Sequence, residues 1–370
     1  MNQNREPRLT ILPEHLRKIR TRLTRWYDRC ARDLPWRRIH DPYAVWIAEI
    51  MLQQTQVETV KDYYRRFLRR FPDIERLARA RRDTVLKLWE GLGYYSRARH
   101  LHETAKILRR DHHGRLPRTV AELMTLPGIG RYTAGAIASI AFDQKAPILD
   151  GNVTRVLCRL FRIDRDPRLS PVNKQLWSLA DELVPAHRPG CFNQAMMELG
   201  AMICLPRRPL CASCPLAELC LARRNGQQDA LPEKTAKKTL PHHTIVIGII
   251  HKNGKILIDR RPEKGLLGGL WEFPGGKQQK NESRHAALRR EVREELGIEI
   301  KVIRPLATVK HAYSHFRITL HAFECRHRSG RPRALACDAW KWVAPRDLTR
   351  YAFPRANQKI LPLLTKVSNK

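Results

Sequence analysis

Acid is what this chain lacks. Its 370 residues carry 70 Lys and Arg against only 36 Asp and Glu, a formal net charge of +34. That shortage excludes a charge-neutral metabolic enzyme and favours a polyanionic partner. Long apolar runs are missing too, and none approaches the ~20 residues that span a bilayer. The opening MNQNREPRLT has no apolar core of the kind a signal peptide needs. The expectation is a cytoplasmic monomer that keeps away from membranes. Cysteine is sparse, nine in all, and in a reducing compartment a tight group of them means metal rather than disulfides. There is no internal repeat, no low-complexity tract, and almost no alternating strand pattern before residue 240.

What is present first is helix. Residues 14–225 read as mostly helical, and DPYAVWIAEIMLQQTQVETVKDYYRRFLRRFP keeps apolar residues at helical spacing up to Pro72. Further helices are predicted near 83–90, 96–110, 118–126 and 130–141. A polar, basic, turn-rich stretch at 223–241 reads as a linker. Beyond it the period changes to that of strands. HTIVIGIIH and KILIDRR flank Asn253-Gly254, a hairpin signal. ESRHAALRREVREELG predicts a helix closed by Gly297, and FRITLHAFECRH another strand. The predicted organisation is an all-α unit over 1–225, a linker over 226–241, and an α/β (α+β) unit over 242–370.

Two local patterns carry chemistry. In LPGIG, Gly128 and Gly130 allow a tight turn whose amides, with the next helix N-terminus, suit a phosphate. Such a helix–hairpin–helix grips a nucleic-acid backbone without reading bases. Cys204, Cys211, Cys214 and Cys220 follow C-x6-C-x2-C-x5-C, which suits a [4Fe–4S] cluster or a tetrahedral zinc. Cys30, Cys158, Cys191, Cys325 and Cys337 are scattered and read as core filler.

Together the hairpin, the aspartate of LDGNVTRV and the cysteine loop resemble the iron–sulfur helix–hairpin–helix DNA glycosylases of the endonuclease III superfamily. Within it, WIAEIMLQQTQVETV and GLGYYSRARHLH resemble the MutY-type adenine glycosylases, over roughly residues 14–225. The resemblance implies a [4Fe–4S] cluster rather than zinc, and a nucleoid-associated enzyme acting on duplex DNA with adenine opposite 8-oxoguanine or guanine.

Releasing adenine requires protonation of the departing base and a carboxylate to counter the oxocarbenium charge on the sugar. Glu49 lies in the apolar WIAEIML, where burial raises a carboxyl pKa. Asp150 precedes a helix, whose N-terminus is expected to keep it ionised. By resemblance Glu49 is the general acid and water-activating residue, and Asp150 the transition-state carboxylate. Tyr132 stands where the superfamily's bifunctional members carry a lysine, and a phenol cannot form their Schiff base. Asn152 stands where those members usually have histidine. Both departures imply a monofunctional enzyme. Gln54 and Tyr94 resemble the wedge residues beside the opposite base, Thr55 and Leu92 residues that touch that base, and Arg37 a residue lining the adenine pocket. In AYSHF, Tyr313, Ser314 and His315 resemble an aromatic-Ser-His turn that reads 8-oxoguanine, Ser314 able to donate or accept.

The C-terminal part resembles a nudix domain. Unlike most of the adenine glycosylases, it keeps the whole pattern G-x5-E-x7-R-E-U-x-E-E-x-G-U, with U aliphatic, from Gly276 to Ile298. Glu291, Glu294 and Glu295 share one helix face beside Arg290 and are candidate Mg²⁺ ligands. WEFPGGK further resembles MutT-type 8-oxo-dGTP hydrolases, so an added pyrophosphatase activity is the alternative reading. A glycosylase–lyase is opposed by Tyr132, and a non-enzymatic DNA-binding regulator by the retention of Glu49 and Asp150.

Overall fold

A computed structural model describes residues 11–39, 41–233, 239–313 and 315–365. The chain forms two compact units, one of residues 1–79 and 100–236, the other of 80–99 and 237–370.

The first unit is helical. Its core joins Leu23, Trp26, Leu157, Leu176, Leu183, Phe192 and Leu199, contributed by four helices. Helix Pro42–Leu52 starts on Asp41, whose side chain accepts from the Ala44 amide, and every residue from Tyr43 to Met51 is buried. A helix apolar on all sides belongs in a core, and Glu49 is the one charge it carries inward. The single helix expected up to Pro72 is instead two, Pro42–Leu52 and Val57–Arg70. Gln54 breaks it with a left-handed φ of 56°, a conformation that cannot continue a right-handed helix.

The hairpin lies between helix Val120–Leu123, closed by a Thr119/Glu122 capping box, and helix Arg131–Phe142. Gly128 has φ 77°, and a Cβ there would come within 2.6 Å of the His100 Cβ, so only glycine fits. Gly130 is the extended residue before the second helix, with open space around it. Helix Gly151–Leu160 is fixed at its start by helix Pro189–Met202, where a Cβ on Gly200 would meet the Asn152 Cβ at 2.6 Å.

The second unit is a seven-stranded sheet: β1 His242–Lys252, β2 Lys255–Arg260, β3 Trp271–Glu272, β4 Gly275–Lys277, β5 Glu299–Ala312, β6 Arg317–Ser329 and β7 Ala339–Val343. The path runs β3-β2-β1-β6-β5, with β4 against β1 and β7 against β2. β1 and β6 are parallel and the other pairs antiparallel. Asn253 and Gly254 turn the expected hairpin with φ 49° and 70°, the pair of positive values a type I′ turn needs. Alternation sends Ile247, Ile249, Ile256 and Ile258 to one face with Phe273 and Phe353. Val246, Ile250 and Leu257 face the other way, under Leu288, Val292 and Leu296 of helix Arg284–Leu296. Residues 80–99 dock on this unit through polar contacts. Lys87 Nζ donates to the Tyr351 carbonyl (3.0 Å), the Phe353 amide to Glu90 Oε1 (2.9 Å), and Arg99 Nη1 to the Gly268 carbonyl (2.5 Å).

Candidate active site

Helices Pro42–Leu52 and Arg131–Phe142 carry Glu49 and Tyr132 to one point. The Tyr132 hydroxyl donates to Glu49 Oε2 at 2.9 Å and lies 3.2 Å from the Met197 sulfur. Asp150 caps helix Gly151–Leu160, with Oδ1 accepting from the Val153 amide (2.7 Å) and Oδ2 from Asn152 Nδ2 (3.1 Å). Glu49, Tyr132, Asp150, Asn152, Thr55 and Arg37 all line one cavity of about 160 Å³.

Burial pushes the Glu49 carboxyl up to about 7, the Tyr132 bond pulling it down and the Asp150 charge pushing it further up. Asp150 corrects an expectation. Its helix cap forms, but burial outweighs the Val153 and Asn152 bonds, and its pKa is raised rather than lowered. Buried Glu49 and half-buried Asp150 face one cavity and both resist ionisation, Glu49 into the neutral range. A cationic sugar arriving between them would reverse this for Asp150.

Sequence reasoning missed Glu198. It is buried and bidentate to Arg37 (3.1 and 2.8 Å) and to Arg32 (2.9 and 2.7 Å). Burial pushes its carboxyl up, but the two guanidinium groups outweigh that and hold it down at about 2. Glu198 and both arginines line the same cavity. A lone acid in the apolar run of helix Pro189–Met202 was the available signal.

Outside the cavity a wider groove of about 840 Å³ is lined by Gln54, Thr55, Gly130, Arg131 and Asp150. Leu92, Tyr94 and His315 lie in the second unit and share another cavity, of about 460 Å³, with Tyr313 and Phe316. The Tyr313 and Phe316 rings are stacked 4.9 Å apart. Ser314 lies outside the described residues.

Cys204, Cys211, Cys214 and Cys220 surround one small hollow and none is in a disulfide. Arg159 reaches into it, donating to Cys204 Sγ (3.3 Å), the Leu205 carbonyl (2.6 Å) and the Leu231 carbonyl (2.8 Å). A tetrahedral zinc holds its sulfurs about 3.8 Å apart, from Zn–S bonds of about 2.3 Å. Among the described residues, the one group of His, Cys, Asp or Glu with ligand atoms all within 4.8 Å is Asp259, Glu272 and Glu295. The four thiols do not form so close a group, so no single-ion site is preformed among them. Arg155 links this loop to the site, donating to the Cys204 carbonyl (2.7 Å) and to Asn152 Oδ1 (2.9 Å).

In the nudix pattern Arg290 grips the acids around it. It donates to Glu282 (2.9 and 3.0 Å), Glu291 (2.9 Å) and Glu294 (3.0 Å). Glu295 turns away from Arg290 and takes the Gly275 amide on Oε2 at 3.0 Å.

A helical unit with a glycine hairpin, an acid pair beside a base-sized cavity and a four-cysteine loop defines a helix–hairpin–helix base-excision glycosylase. The HhH-GPD superfamily of base excision DNA repair proteins matches residues 47–182, and the NUDIX domain family residues 245–363. The human adenine DNA glycosylase is 37% identical over 398 residues, covering 92% of this chain and 73% of that protein. The adenine DNA glycosylase of Schizosaccharomyces pombe is 32% identical over 398 residues, covering 90% and 86%. Among solved structures, a thermostable thymine-DNA glycosylase aligns with TM-score 0.53 and 32% identity over 57% of this chain and 98% of its own. The chain belongs to the adenine DNA glycosylase family, MutY-type with a C-terminal nudix domain, and is a base-excision repair enzyme that acts on DNA. Among the described residues no helix is long and apolar enough to cross a membrane.

Proposed function

We propose that this glycosylase removes adenine mispaired with 8-oxoguanine, and with guanine, from duplex DNA, and that it leaves the strand intact. The observation that carries the chemistry is the Tyr132–Glu49 bond inside a cavity that Asp150 also faces. The adenine is turned out of the stack into that cavity. Glu49, neutral near pH 7, gives its proton to a ring nitrogen of the base. The glycosidic bond breaks, and its electron pair leaves with adenine. Asp150 faces the cationic sugar. The Glu49 carboxylate then takes a proton from the water that adds to the sugar carbon, and an abasic site results. Tyr132 offers no amine to that carbon, which supports the monofunctional reading. Cys204, Cys211, Cys214 and Cys220 would hold a [4Fe–4S] cluster, and the loop so closed would present Arg207 and Arg208 to a phosphate backbone.

The 8-oxoguanine preference rests on Leu92, Tyr94 and His315 converging on one aromatic-lined cavity, and on Gln54, which its left-handed φ places at the tip of a turn lining the groove. The test is excision on duplexes with adenine opposite each normal base and 8-oxoguanine, with and without alkali. Fastest release opposite 8-oxoguanine, visible as a break only after alkali, is the expected result. Equal rates for all partners would remove the lesion reading.

A second activity, hydrolysis of nucleoside triphosphates such as 8-oxo-dGTP by the nudix unit, is favoured by the unbroken pattern from Gly276 to Ile298 folded as strand, Ser283-capped helix and Gly297 stop. Pyrophosphate release by the full chain with Mg²⁺ tests it.

A further inference from the structure

Asp259 and Glu272 are directly opposed across antiparallel strands β2 and β3. Asp259 is 1% and Glu272 7% exposed. Like charges facing each other in this way destabilise a sheet, and burial multiplies the cost. Glu295 arrives from helix Arg284–Leu296, and one oxygen from each of the three carboxylates lies within 4.8 Å of the others. Arg261 meets only part of this charge. Its Nη1 donates to both oxygens of Glu272 at 2.8 Å. Arg290, the other nearby guanidinium, is committed to Glu282, Glu291 and Glu294. With all three carboxylates ionised, one guanidinium would leave the trio two positive charges short. Asp259 is the sharpest sign of it, because both of its carboxylate oxygens are buried without a hydrogen-bond partner. A buried carboxylate with no donor is rare in a folded protein unless something else meets it.

We propose that Asp259, Glu272 and Glu295 hold a divalent, oxygen-preferring cation such as Mg²⁺ or Mn²⁺, with Asp259 a ligand that the nudix pattern does not contain. An ion of this kind binds oxygens at about 2.1 Å in an octahedron, so its ligand atoms lie about 3.0 Å apart when adjacent and about 4.2 Å apart when opposite. The three oxygens, within 4.8 Å of one another, lie close to that range. An all-oxygen donor set suits Mg²⁺ or Mn²⁺, and offers none of the sulfur or imidazole that softer metals favour. Two positive charges restore neutrality. Glu295 is half-buried, so coordination positions left for water would lie on its side. The site differs from the trio Glu291, Glu294 and Glu295 to which the helix spacing points, since two of those carboxylates are already bound to Arg290. It stands whether or not the unit turns over nucleotides.

The experiment is a Mn²⁺ titration of the full-length protein, with free Mn²⁺ read by its room-temperature electron paramagnetic resonance signal. Wild type should take up one Mn²⁺ per chain. Asp259→Asn should weaken that binding at least about tenfold, and Glu294→Gln less than about threefold. Adenine excision by Asp259→Asn serves as the folding control and should match wild type. Absence of Mn²⁺ uptake by wild type, unchanged uptake by Asp259→Asn, or a larger loss in Glu294→Gln would each overturn the proposal. Should Asp259→Asn fail to fold, anomalous scattering from Mn²⁺ in wild-type crystals settles the same point. A peak between Asp259 and Glu272 is expected, and a peak at Glu291 and Glu294, or none, contradicts it.

Discussion

The Tyr132 hydroxyl spends its one proton on the Glu49 carboxylate, 2.9 Å away, in a place where burial favours the protonated acid. The two influences oppose each other, because a donated hydrogen bond favours the ionised form. Single-turnover excision should therefore fall as pH rises through about 7, where Glu49 loses its proton. Tyr132→Phe removes the bond, so the Glu49 pKa rises and the alkaline limb moves to higher pH. A limb that stays in place or moves down would mean the bond does not tune the acid. Glu49→Gln should bind the mispaired duplex and release no adenine.

The product distinguishes a phenol from an amine at position 132. Borohydride should trap no covalent complex with wild type, since an imine requires an amine at the sugar carbon. Tyr132→Lys should form a trappable adduct if that side chain reaches the sugar. Efficient trapping with wild type would contradict the monofunctional proposal.

Glu198 is the structural anchor of the base cavity. Its side chain is 1% exposed and shared by Arg32 and Arg37. Glu198→Gln leaves two guanidinium groups underpaired, and urea unfolding should show a loss of about 3 kcal/mol. The pH dependence has a definite sign. A carboxyl held at about 2, below its ordinary 4.5, contributes stability above pH 4.5 that fades as pH falls toward 2. Glu198→Gln should flatten that acid limb as well as lower the plateau.

Protein prepared under anaerobic, iron-replete conditions should be brown and carry about four iron per chain. Cys204→Ser should lose iron and DNA affinity together, because Arg207 and Arg208 sit in the loop it closes and both are exposed. Stoichiometric zinc in its place would refute the cluster assignment.

What was legible in the sequence was local. Asn253-Gly254, the helix closed by Gly297, the cysteine spacing and the glycine hairpin each depend on neighbours within a few residues, and each is where the pattern put it. The acid pair was legible as two residues but not as an environment. The helix cap on Asp150 could be read, while the burial that overrides it depends on helices far along the chain. Glu198 escaped notice because its partners lie more than 160 residues earlier. Strand β5 showed no clean alternation, since bulges near Glu299, Val302 and Pro305 shift its register. The break at Gln54 is set by one backbone angle that composition does not announce.

The docking of residues 80–99 on the second unit also has a consequence in time. A ribosome delivers Arg99 long before Gly268, the residue whose carbonyl it binds. At roughly 5–20 residues per second the interval is about ten to thirty seconds. Through it, helix Arg82–Trp89 and Arg99 exist before the Tyr351 and Gly268 carbonyls that Lys87 and Arg99 bind. A nascent chain halted at the linker thus holds the first half of this docking without the second, and the anchors of Lys87 and Arg99 are the last part of the helical segment's surroundings to be made.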